Sequence, residues 1–360
     1  MTKRKYELSF MNVMLCIFVV LIHILSYPIA QFSPGGLSPS TVKHDLVLIP
    51  SQLVSFAVQG FVFMSGLKLF LGGRDSIKYT QYLKKRLLFV VLPYILAFAV
   101  YYVYFAVVYD YPVNDVKFIL EHLFCGSLVY HLYFIPLIVQ FDLLLPLWRR
   151  IVNRFSPVIV IPAALFAGSF FELYLPSLTG VFTGSPAAIM NDRLFTTYIG
   201  FWICGCYIGK YYGEFREICR KCFGLLAVFF SVSAAVLAVF SHFFYNRIYP
   251  VGAMNEIKYF YAVCAILFFT ALFGRIPQNV YDKIPALSLV DKHSYGMYLM
   301  HVLPLTLTDT FIIEKFGIQS QTAAFALRVV TAYGGTLGIL CAFSFVKKGM
   351  LSILKRKTEQ

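Results

Sequence analysis

The 360-residue sequence is 59% hydrophobic and 18% aromatic but only 13% charged, about half the charged share of a soluble domain. So few charges cannot clothe a soluble core of that size, which excludes a water-soluble globular enzyme. The formal charge of +14 sits on no soluble basic patch suited to nucleic acid. In so apolar a chain it reads as lysines and arginines facing anionic lipid headgroups.

Apolar blocks near the length that crosses a hydrocarbon layer of ~30 Å recur at 9–30, 46–71, 86–109, 128–148, 157–176, 194–213, 222–245, 257–274, 294–313 and 322–346. This predicts an all-α, polytopic integral membrane bundle of ten transmembrane helices in a single domain, 1–360. Of the 31 Lys and Arg, 23 fall on one alternating side, 6 on the other and 2 inside spans. The richer side is cytoplasmic by the positive-inside rule, which places both termini there.

The chain opens on Lys3, Arg4 and Lys5 ahead of an apolar run too long for a cleaved leader. In the first span, Asn12 and His23 are eleven residues apart. Eleven steps of ~100° leave them on one face, ~16 Å apart along the axis, with Cys16 and Val19 or Val20 between. From the residues alone His23 either bonds a neighbouring helix or does chemistry, because ionisable groups inside a membrane are costly.

Beyond it, an outer loop carries Pro34, Gly35, Gly36 and Pro39 and reads as irregular. Lys68, near the cytoplasmic end of the second span, is placed to snorkel. In 113–125, Ile119, Leu120, Leu123 and Phe124 alternate with Asp115, Lys117 and Glu121, the spacing of a short interfacial helix. The fourth span begins at His131 and contains Asp142; Glu172 follows in the fifth. Asp192 and Arg193 fall on the outer side. Cys219 and Cys222 form one CxxC spacing with no second pair to complete a zinc site, so no metal is expected and the cysteines read as small apolar residues. His301 lies mid-helix in the ninth span, with Asp309 further on, and Arg328 lies in the tenth. Asp142 and Arg328 read as members of a buried ion pair or the lining of a pathway. No phosphate loop, metalloprotease motif or nucleophile elbow is present.

Six segments in order resemble the integral membrane acyltransferase-3 family, whose stand-alone bacterial members O-acylate surface polysaccharides. They are the helix-one run ending in His23; Phe63-x-Ser65-Gly66; the basic run through Lys85 and Arg86 into Pro93-Tyr94; the segment opening His131-Leu132-Tyr133-Phe134 and ending Leu145-Pro146; residues 192–209; and residues 294–301, Ser-Tyr-Gly-Met-Tyr-Leu-Met-His. The resemblance implies a bacterial inner (plasma) membrane protein that moves an acyl group, usually acetyl in such enzymes, from cytoplasmic acyl-CoA to a hydroxyl of a cell-envelope polysaccharide or glycolipid, with no permanently bound cofactor. It assigns His23 the catalytic role, as base or as acyl carrier. Asn12, Lys85, Arg86 and Ser65 then attend the donor, while His131, Tyr295, His301, Asp142 and Arg328 line the cavity. Partners are acyl-CoA, a surface glycan or lipid-linked saccharide, and membrane lipid, with envelope-synthesis proteins or a second copy as further associates. Two positions depart from the family pattern: Asn12, where many members carry Arg or Lys, and Phe89, where the second arginine of an R-x-x-R pair is expected. An exporter of polysaccharide or small metabolites is the alternative, and a non-catalytic scaffold a third.

Overall fold

The computed structural model describes residues 5–32, 41–72, 78–113, 115–183, 191–248 and 252–345. The predicted loop with Pro34, Gly35, Gly36 and Pro39, and the basic residues Lys3, Arg4, Arg74 and those from Lys347 onward, lie outside the described residues.

Among the described residues the chain is helical, with no strand. In order come α1 (Tyr6–Phe32), α2 (Thr41–Val54), α3 (Ala57–Phe70), α4 (Tyr79–Arg86), α5 (Leu92–Tyr109), α6 (Val116–Cys125), α7 (Phe134–Leu143), α8 (Leu145–Arg154), α9 (Pro157–Thr183), α10 (Phe195–Lys210), α11 (Tyr212–Lys221), α12 (Phe223–Tyr245), α13 (Met254–Phe273), α14 (Gln278–Lys283), α15 (Pro285–Met300), α16 (Val302–Thr308) and α17 (Gln321–Val329). Short π-helical stretches follow α4 (Leu87–Val91), α16 (Asp309–Glu314) and α17 (Val330–Gly335).

Seven helices among the described residues are long and apolar enough to cross a membrane: Tyr6–Ile29, Val42–Phe70, Tyr79–Tyr109, Pro157–Leu175, Phe223–Tyr245, Met254–Phe273 and Gln321–Phe345. Pro285–Met300 with Val302–Glu314 would make an eighth, bent by 57°. A helix suits this environment because all its backbone groups are satisfied internally.

The remaining two apolar blocks take shorter forms. The block at 128–148 starts in a turn, because α6 closes on Gly126 at φ 62°, a left-handed cap that glycine adopts without strain. Helix α7 begins only at Phe134, so His131 precedes it. Pro146 near the start of α8 marks a second break. The block at 194–213 becomes α10, 16 residues long. The interfacial helix expected in 113–125 is α6, with the Asp115 carboxylate accepting from the Phe118 N–H at 3.0 Å, a side-chain cap of its first turn.

The chain divides into two compact units. The second comprises Phe56–Phe244 and Tyr249–Arg275, and α10 is its central helix, packed on α3 and α9. A methyl group at Gly66 would sit 2.6 Å from the Trp202 carbonyl oxygen, and one at Gly205 would strike the backbone of Phe63. Glycine at both positions lets α3 and α10 meet backbone to backbone, the close approach that small residues allow between membrane helices.

The first unit comprises Met1–Ser55, Tyr245–Ile248 and Ile276–Gln360. Here α1 packs on α2, α15 and α17. Val20, Ile24, Leu305 and Ala332 form its fully buried centre, with Tyr27, Phe325, Val329 and Tyr333 around them. The short link at 245–248 is tied to α2: buried His44 bonds Asn246 at 2.9 Å, and Asn246 donates to Asp45 at 2.8 Å.

Candidate active site

The polar face of α1 meets α15 and α16. Its first contact is Asn12, whose side-chain amide donates to Asp291 Oδ1 and to Ser294 Oγ, each at 2.8 Å. The two N–H bonds of one amide nitrogen therefore have separate acceptors. Ser294 Oγ in turn donates to the Asp291 carbonyl at 3.0 Å, and the Tyr281 hydroxyl lies 3.4 Å from Asp291 Oδ2. One helical turn on, the Cys16 thiol points at the Ser294 carbonyl, 3.7 Å away.

Further along the same face the rings of His23 and His301 stack, with centroids 5.1 Å apart and planes inclined by 25°. His301 occupies the joint between α15 and α16. The joint has a local cause. Pro304 lacks an N–H and its ring crowds the carbonyl four residues back, so the helix bends there. The imidazole uses the opening: its Nδ1 lies 3.0 Å from the Met297 carbonyl oxygen and 2.9 Å from that of Tyr298. Carbonyl oxygens only accept, so Nδ1 carries the proton and, in the neutral ring, Nε2 holds the lone pair. His301 is fully buried and His23 half-buried. Pro28 inside α1 removes the backbone bond to Ile24, and Ser26 Oγ reaches back to the His23 carbonyl at 2.7 Å. Helix α1 is thus loosened just beyond its histidine.

The other predicted site residues have these places. Tyr295 is half-buried on α15 in the same unit. Arg328 is buried and bonds Asp309 through Nε at 2.8 Å. In the second unit, Asp142 is buried and takes the Arg86 Nε at 2.5 Å and the Tyr82 hydroxyl. Asp142 and Arg328 therefore each have their own partner: Arg86 for the first, Asp309 for the second. Ser65 donates to the Phe61 carbonyl within its own helix at 2.8 Å. Lys85 is exposed on α4, and Phe89, in the π-helical stretch after Arg86, is 71% exposed. His131 is buried with its ring edge-on to Tyr101 and Tyr130. All eight cysteines are free thiols; in the CxxC spacing, burial pushes the Cys219 thiol up to about 11, which keeps it protonated and unreactive.

Asp291 and Tyr281 are not singled out by the sequence, and Ser294 is so only as the first residue of the 294–301 segment. The sequence does hold a signal for two of them, since Asp291, Ser294 and His301 recur at steps of three and seven, one face of a helix. That stripe mirrors Asn12, Cys16 and His23 on α1. The arrangement offers two imidazoles in a mostly apolar setting, one with its tautomer fixed, and a hydrogen-bonded polar track leading to them from one end of α1. Such a pair is suited to taking a proton from a hydroxyl and returning it to a leaving group.

A family model described as an acyltransferase domain matches residues 5–345. No curated protein and no solved structure matches the chain.

Proposed function

The chain belongs to this acyltransferase family and is a multi-pass membrane acyltransferase; on that premise we propose that it transfers an acetyl or similar acyl group from cytoplasmic acyl-CoA to a hydroxyl of a cell-envelope glycan or glycolipid. The observation that carries the reading is the stacked pair of His23 and His301 at the end of the polar track from Asn12. In this reading the fold is a ten-helix bundle in a bacterial plasma membrane, with α7–α8, α10 and the bent α15–α16 completing the seven longer spans, and both termini are cytoplasmic.

The thioester approaches along the Asn12 side and the acceptor from the opposite one. His23 takes the proton of the acceptor hydroxyl as the oxygen attacks the thioester carbonyl. The tetrahedral intermediate collapses with cleavage of the carbon–sulfur bond, and the imidazolium returns its proton to the departing thiolate. Products are an O-acyl ester and free CoA, and the enzyme is unchanged. His301, held by two carbonyls, supports the His23 ring face to face and limits its rotation. Asn12 contributes a neutral amide where many members of the family carry a cation, so the charge of the donor's phosphates is met by other basic groups.

The test is turnover of labelled acetyl-CoA by purified protein in nanodiscs, wild type against His23→Ala. Release or transfer of label that requires His23 supports the reading. Turnover untouched by the substitution rejects it, and flux of solute across vesicles without any acyl donor moves an exporter ahead.

A further inference from the structure

One turn beyond His23 on α1 stands Tyr27, four residues on and ~6 Å further along the axis. The guanidinium carbon of Arg328 lies 4.5 Å from the centre of its ring, a cation–π contact that fixes the plane of the guanidinium. Arg328 Nε is bonded to Asp309 Oδ1 at 2.8 Å, and the two side chains are 7% and 13% exposed. The second carboxylate oxygen, Asp309 Oδ2, is buried and receives no hydrogen bond from any described residue. A carboxylate oxygen is acceptor-only, and leaving one buried without a donor is costly.

The local backbone is also unusual. Asp309 opens one π-helical stretch, and Arg328 lies two residues before another. Such turns are rare and occur often at functional sites. Tyr27, one helical turn from His23 on α1, is therefore linked through the Arg328 guanidinium to a buried acceptor oxygen, all within the first unit. What Asp309 Oδ2 lacks, among the described residues, is a hydrogen-bond donor such as a hydroxyl supplies.

We infer that Asp309, held in place by Arg328 and Tyr27, binds the hydroxyl-bearing acceptor: Oδ2 accepts a hydrogen bond from one hydroxyl of a polyol or saccharide and aims a neighbouring hydroxyl at His23. The inference rests on the acyl-transfer reading and adds to it the acceptor subsite. No bond is made or broken at Asp309.

The experiment measures two products from labelled acetyl-CoA, with protein in nanodiscs and host envelope membranes as the source of acceptor. Free acetate reports attack by water; base-labile ester in the envelope material reports attack by the acceptor. Asp309→Asn keeps an oxygen for Arg328 but turns the second position into an amide donor, and the ratio of ester to acetate is expected to fall roughly tenfold or more, the worth of a hydrogen bond to a charged group. Asp309→Glu keeps the charge while displacing the oxygen, and lowers the ratio as well. If both products fall together in both variants and the ratio stays at the wild-type value, the pair is a structural strut and the inference is overturned. It is equally overturned if neither product changes. If wild type forms neither product, or forms them without His23, acyl transfer itself fails, an outcome the His23→Ala control separates from the other two.

Discussion

The side-chain amide of Asn12 lies 2.8 Å from the carboxylate of Asp291. A cation at position 12 would form an ion pair with this carboxylate; here a neutral donor serves it. Asn12→Asp sets two carboxylates against each other and also removes both N–H donors, and is expected to cost about 1–3 kcal/mol of stability. Asn12→Lys, which restores an opposite charge, should unfold at or above the wild-type temperature. Thermal unfolding in detergent distinguishes them, and an Asn12→Asp protein as stable as wild type would show that the contact contributes nothing.

His23→Ala is expected to lower turnover of acyl donor by roughly 10²–10⁴-fold, the usual range for a lost general base, with unfolding temperature near that of wild type. His301→Gln should have a smaller effect on turnover, because Gln offers a donor to the carbonyls of Met297 and Tyr298 but no ring against His23. Equal losses for the two variants would mean that the two imidazoles act as one unit, in which case the double variant should be no worse than either single one.

Arg86 and Asp142 form an ion pair in which Asp142 is 2% exposed and Arg86 28%. Removing one partner strands the other, so Arg86→Ala should destabilise by about 3–5 kcal/mol. The double variant Arg86→Met, Asp142→Leu should recover most of that loss. Binding of acyl-CoA to the recovered protein then tells whether Arg86 also serves the donor: undiminished affinity would confine it to structure.

Gly205→Ala places a methyl group into the backbone of Phe63. Helices α3 and α10 must separate, at a cost of about 1–3 kcal/mol for overpacking. Gly213→Ala, with nothing within 4 Å of the added carbon, serves as the matched control. Similar unfolding temperatures for the two would refute the close packing.

Hydropathy made the long helices legible because a crossing segment has to be both apolar and about twenty residues long. It was less informative where the chain is interrupted. The turn after Gly126 delays the helix of the block at 128–148 until Phe134, Pro146 interrupts it, and Pro304 bends the ninth, none of which shifts a window average. The His23 stripe was legible from periodicity on one helix. Its partner stripe was not, for a specific reason: Lys292 made the neighbourhood of Asp291 read as a basic flank, and the predicted span began at 294, whereas Pro285 starts α15 nine residues earlier. Periodicity names a face of a helix but not the face it meets. That is why Asp142 and Arg328 stood out from the sequence as costly residues while their partners, Arg86 and Asp309, required the fold.

The eleven-residue spacing of Asn12 and His23 along α1 has a consequence for selectivity. His23 stands seventeen steps along α1 from Tyr6 at its start, ~25 Å along the helix axis. A small activated acid such as an acyl phosphate would have to bring its charge down that distance. A thioester on a long, thin, uncharged arm leaves its charged portion at the surface. On the proposed acyl-transfer reading, helix α1 would therefore measure donors by reach, selecting the arm by its length before any side chain inspects the acyl group it delivers.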